Sequence, residues 1–149
     1  SDGSPAPSNV IPTSGVLLIE PAAAIGGMLA VYLLFTAMNL ASLVLLFLVL
    51  RRTFDDVVCA LTIAVVGLTV PLAWHAAAIW SEVPALLAIS IALLLAPRVG
   101  CSPRAATGVA LALAALPWLH QKYMPLAFGL GVAMLLVRER RRLWWIVMA

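Results

Sequence analysis

Between Pro21 and Leu50 the chain carries no charged side chain. A helix crosses roughly 30 Å of hydrocarbon with about 20 mainly apolar residues, so a run of this length predicts a membrane span before any other feature is considered. The rest of the chain agrees: of its 149 residues 64% are hydrophobic and 10% charged, against about 25% charged in an ordinary soluble domain. Too little polar surface remains to coat a globule in water, which excludes a soluble catalytic domain. The net charge is +3, yet the basic residues fall in short stretches between apolar runs. That pattern sets membrane topology; it does not build a nucleic-acid face, and no nucleic-acid partner is expected.

The apolar runs predict an all-α, polytopic transmembrane helix bundle of about four spans plus the start of a fifth. Gly26-Gly27 marks a joint between an interfacial stretch, about Gly15 to Ile25, and a span of about Met28 to Leu50 closed by Arg51-Arg52. The turn through Asp56 is short enough only to reverse the chain, so the next run, Val57 to Trp74, is antiparallel to the first. A third span runs from about Ile79 to Ala96, with Ser81 as its N-cap, Glu82 in a first turn favoured by the helix dipole, and Pro84 tolerated there. Pro97 and Gly100 end it. The run Ala105 to Val137 holds a polar insert, His120 to Tyr123, bracketed by Pro117 and Pro125, and predicts a hairpin of two short helices.

Charge supports the hairpin. With it, all of the nine Lys and Arg residues except Lys122 fall on one side, as the enrichment of cytoplasmic loops in Lys and Arg requires. A single crossing would divide them and leave Lys122 at mid-bilayer, which is expensive. The expected order is N-terminus extracytoplasmic, Arg138 to Arg142 cytoplasmic, and a further span from Leu143, in a cell inner (plasma) membrane. Residues 1–14 read as the tail of an extracytoplasmic loop and 15–149 as a transmembrane helical region. The chain opens at Ser1 without Met or a signal-peptide pattern and stops in an apolar run, so a piece of a longer protein is expected. The hairpin helices, about 14 residues each, reach only about 21 Å, which recesses their turn below the outer surface.

Few residues in this frame can carry chemistry. Lys122 and His120 predict a small cationic patch suited to a lipid phosphate, with Gln121 and Tyr123 as added donors; alternatively Lys122 snorkels from the turn while Trp118 and Tyr123 join an aromatic belt. Glu82 is open to use as a general base, a metal ligand, a partner for Lys122, or a simple complement to the helix dipole. His75 lies about two helical turns before Glu82, but with His120 these make scattered ligands without a metal-binding spacing, so the residues alone predict no metal site. Asn39 and Ser42 predict hydrogen-bonding glue between helices. Asp55 and Asp56 read as a solvated turn neutralised by Arg51 and Arg52. Cys59 and Cys101 fall near the inner face, where no bridge is expected.

The succession IPTSGVLLIEPAAAIGG, a span ending in RR, AWHAAAIWSEVPALLAISIALLLAPR and GVALALAALPWLHQKYMPLAFGLGVAMLLVRERRR resembles the polytopic core of GT-C type glycosyltransferases, membrane enzymes that take sugars from polyprenyl-phosphate carriers. The resemblance covers about Ile11 to Arg142 and rests on loose, mainly hydrophobic motifs. It implies inverting sugar transfer on the extracytoplasmic face, with an acidic base in a loop mostly upstream of Ser1. Asp2 is the remnant candidate for that base. It also implies that Lys122, His120 and Tyr123 face the carrier phosphate, that Glu82 orients the acceptor or a cation, and that a divalent metal is possible. Two readings from other classes stand beside it: a segment of a secondary transporter or permease, with Pro117 to Pro125 as a broken helix at a substrate site, and a noncatalytic membrane scaffold.

Overall fold

The computed structural model describes residues 13–68 and 81–148, and among these it is all-helical. In chain order the elements are α1 (Thr13–Leu50), α2 (Asp56–Leu68), α3 (Glu82–Leu95) with a 3-10 turn at Ala96–Arg98, α4 (Pro103–Leu119), a 3-10 turn at Gln121–Tyr123, and α5 (Met124–Met148). Asp2, His75, Trp80 and the end of the second expected span lie outside the described residues.

The joint expected at Gly26-Gly27 is present inside α1. Gly26 (φ −147°, ψ 24°) and Gly27 (φ 61°, ψ −156°) both leave the helical region, and the second conformation is one that essentially only glycine adopts. Beyond the joint, Met28–Leu50 extends about 34 Å at the helical rise. The bend lets Ile19, Ala22 and Ala23 pack on the same cluster as Val31, Phe35 and Val83.

Within α1 one stripe is buried, Val31, Phe35, Asn39 and Ser42, and it faces α3 through Val83. Ser42 and Ser90 are fully buried, and each donates its hydroxyl to the carbonyl four residues earlier, Met38 O at 2.7 Å and Leu86 O at 2.8 Å. Ser42 therefore satisfies its proton within its own helix instead of bonding across to a neighbour, and its small side chain allows close packing. On its other side α3 presents Ala85, Ala88 and Ala92 to Ala112, Leu116 and Leu119 of α4.

Three of the chain's reversals, those whose turns lie among the described residues, are registered by a glycine facing a leucine: Gly67 against Leu43 between α2 and α1, Gly108 against Leu95 between α4 and α3, and Gly131 against Leu113 between α5 and α4. These pairs fix α1–α2, α3–α4 and α4–α5 as antiparallel neighbours. The last pair makes the expected hairpin a true fold-back about Lys122, not one helix broken in the middle.

Caps follow the polar residues at the helix starts. Asp55 accepts from the Val57 and Val58 N–H groups, and Arg51 pairs with Asp56, so one carboxylate of this turn caps α2 and the other neutralises Arg51. Ser102, in extended backbone before Pro103, accepts from the Ala105 N–H. Ser81 does not act as the expected cap: it is already helical (φ −63°, ψ −15°) and its side chain makes no cap hydrogen bond, whereas a capping hydroxyl sits on an extended residue and accepts from the N–H two or three residues further on.

Two expectations about the last helices need correction. The hairpin helices are longer than about 14 residues, at 17 for α4 and 25 for α5. Nor does the chain break at Arg138 to start a fifth span at Leu143; α5 continues through the basic cluster to Met148. Arg and Glu are good helix formers, and no Gly or Pro follows Gly131 to interrupt them.

Of the spans expected, Ile19–Leu50 is long and apolar enough to cross a bilayer, while α2 and α4 are shorter apolar helices. Only 17% of the most apolar part of Ile19–Leu50 is buried, whereas a soluble protein's core helix would be mostly covered. By length, composition and exposure this helix is a candidate to cross a membrane.

Candidate functional site

The N-terminus of α3 and the turn between α4 and α5 meet at one end of the bundle. Pro117, two residues before the end of α4, weakens the helical ladder at that point, and His120 then leaves the helix for extended backbone (φ −166°, ψ 139°). Its own Nδ1 accepts from the Lys122 N–H at 3.1 Å, and its carbonyl accepts from the Tyr123 N–H at 3.0 Å. The imidazole thus braces the turn from which Lys122 projects. With Nδ1 as acceptor, the neutral ring carries its proton on Nε2.

Lys122 Nζ donates to Glu82 Oε1 and forms an ion pair with it. Leu116 and Leu119 of α4 pack on Ala85 and Ala88 of α3, bringing the first turn of α3 beside the hairpin tip. The Glu82 carboxylate hydrogen-bonded to Lys122 holds the ammonium pKa above the ordinary lysine value. The ammonium also lies 5.1 Å from the centroid of the Tyr123 ring. Ser81 Oγ donates weakly to Glu82 Oε2 at 3.4 Å.

Glu82, His120, Lys122 and Tyr123 are therefore neighbours, and of the uses open to Glu82 the pairing with Lys122 is the one present. The cluster is charge-balanced where a net cationic patch was expected, because a carboxylate from a separate helix reaches the lysine. Asp2 and His75 are among the residues not described. The Tyr123 hydroxyl is buried without a hydrogen-bond partner.

The opposite end of α3 belongs to the arginines. Arg52 Nη2 donates to Leu94 O at 2.7 Å, tying the α1–α2 turn to the C-terminus of α3. Arg98 and Arg104 flank the α3–α4 turn at that same end. Sequence reasoning missed the Arg52 contact, since nothing local to Arg52 marks a carbonyl that folding brings to it.

A divalent metal does not fit these donors. Glu82 is held by the ammonium, His120 Nδ1 is occupied within its turn, and among the described residues no three of His, Cys, Asp and Glu converge. What the arrangement offers is a tethered ammonium, an imidazole N–H and a phenol O–H, with one carboxylate to answer them. No family model, curated protein or solved structure matches this chain.

Proposed function

We propose that the chain is part of an integral membrane glycosyltransferase that takes a sugar from a polyprenyl-phosphate carrier on the extracytoplasmic face, and that the hairpin tip receives the carrier phosphate. In this reading α1 and α3 run from the outer to the inner face, α2 and α4 return, and α5 carries its arginines back inside. The single observation that carries the reading is the cluster of Lys122, His120 and Tyr123 with Glu82, at the end of α3 remote from Arg52, Arg98 and Arg104. A polar group at membrane depth is costly unless it is paired or reaches water, and a charge-assisted donor there suits a phosphate oxygen.

In transfer, a carboxylate removes the proton of the acceptor hydroxyl, that oxygen attacks the sugar carbon, and the carrier phosphate leaves with its bonding pair. Lys122 stabilises the charge that grows on the leaving oxygen. Glu82, bound to that ammonium, suits holding Lys122 better than abstracting a proton, which leaves the base to Asp2 or to another carboxylate of the intact protein.

The test is sugar transfer from a labelled polyprenyl-phosphate sugar in membranes carrying the intact protein. Lys122→Ala is expected to lower transfer by about two orders of magnitude, the loss typical of an oxyanion donor. Undiminished transfer would overturn the reading and favour a scaffold. The fold-back of α4 on α5 lends no support to a discontinuous transporter helix.

A further inference from the structure

We propose that Glu82 is an internal stand-in for the ligand: its carboxylate fills the anion position that Lys122 offers, and a phosphate ester binds by displacing it. The inference rests on the phosphate reading above and adds a competitor within the same site.

Three observations converge on it. First, the donors outnumber the acceptor. Lys122 brings an ammonium, the exposed His120 ring turns Nδ1 inward to its own backbone and so keeps its protonated nitrogen for another partner, and the Tyr123 hydroxyl is buried without an acceptor. A planar carboxylate on a short tether answers the ammonium and leaves the hydroxyl unserved, whereas a tetrahedral phosphate has oxygens pointing several ways.

Second, Glu82 stands in the first turn of α3, where the helix dipole favours a negative charge of any origin. The same field that holds the carboxylate would hold a phosphate oxygen.

Third, the pair is reachable: the side chains of Lys122 and Glu82 are 46% and 29% exposed. The pair is strong enough to position the lysine and weak enough to open, since ion pairs this accessible contribute little net free energy. In the exchange the lysine passes from one anion to another, and the freed Glu82 side chain turns to water at the rim.

The consequence is that Lys122 and Glu82, though bonded partners, act on phosphate binding in opposite directions. The experiment measures binding of a short-chain polyprenyl phosphate, with inorganic phosphate in a parallel arm, to the full-length protein in neutral phosphatidylcholine nanodiscs. Lys122→Ala should weaken lipid binding about tenfold or more, and Lys122→Arg should retain it, which separates loss of charge from loss of fold. Glu82→Gln should tighten binding about fivefold, the factor by which an exposed pair of this strength competes.

Tightening in both arms supports a site for the phosphate group alone, and tightening for the lipid only supports a site that also holds the chain. If Lys122→Ala abolishes binding while Glu82→Gln weakens it or leaves it unchanged, the competitor role is wrong and the phosphate reading stands. If Lys122→Ala binds as well as the parent, both are wrong.

Discussion

Lys122 and Glu82 lie 40 positions apart in the chain and meet as an ion pair, joining the tip of the α4–α5 hairpin to the first turn of α3. Neither residue has an opposite charge near it in sequence that would announce the contact. Packing of α4 on α3 creates it, through Leu116 and Leu119 against Ala85 and Ala88. The pair therefore reports on tertiary structure as well as on the site.

As a stability element the pair should be modest. A double-mutant cycle with Lys122→Met and Glu82→Gln, read from denaturant unfolding in detergent, should return a coupling of about 1 kcal/mol or less. A coupling several times larger would mean that the pair is shielded from water more fully than its exposure indicates.

The pH dependence has a definite sign. Lys122 is raised above the usual lysine value by its hydrogen bond to Glu82, so the folded state holds this proton more tightly than the unfolded chain does. Its contribution is fully present below the unfolded lysine pKa of about 10.4 and is lost as pH rises through the higher folded value. Melting temperatures between pH 9 and 12 should fall less steeply in Lys122→Met than in the parent; equal slopes would contradict this.

The joint in α1 depends on Gly27. Its φ of 61° with ψ of −156° is closed to a side chain, so Gly27→Ala should cost about 1–3 kcal/mol or straighten the helix. Straightening would lift Ile19, Ala22 and Ala23 from Val31, Phe35 and Val83. Crosslinking between cysteines introduced at Ala23 and Val83 should then be lost; persistence of the crosslink together with unchanged stability would contradict a required bend.

The interface between α3 and α4 centres on Leu116, which is fully buried. Leu116→Ala should destabilise by about 2–5 kcal/mol through lost burial and a residual cavity. The same substitution should also loosen the Lys122–Glu82 contact, seen as a reduced coupling when the cycle is repeated in that background.

Much of this was legible in the sequence, because it rests on local chemistry. The uncharged run to Leu50, the paired glycines, and the two prolines around His120 act within a few residues of themselves, and the helix, the joint and the hairpin follow directly. The end of α5 was misread because arginines mark a membrane boundary without breaking a helix: Arg138 to Arg142 continue the backbone of the run before them. Ser81 was misread as a cap because residue type does not reveal backbone conformation, whereas Ser102, directly before Pro103, carries the clearer signal. The members of the site were legible as polar residues on one expected face. The pairing of Glu82 with Lys122 was one of the uses left open for Glu82, and packing of α4 on α3 selects it; the Arg52–Leu94 bond was not legible, since it spans a long sequence separation.

The central claim is that the hairpin tip and the arginine turns lie on opposite faces of a membrane. Cys101 is exposed in the α3–α4 turn, Cys59 is buried, and Gln121 is exposed at the tip, so a membrane-impermeant thiol reagent can address the two faces separately in cells carrying Gln121→Cys. Labelling of position 121 in intact spheroplasts, with Cys101 labelled only in inverted vesicles, is the predicted result. Labelling of both positions from the same side would contradict the account.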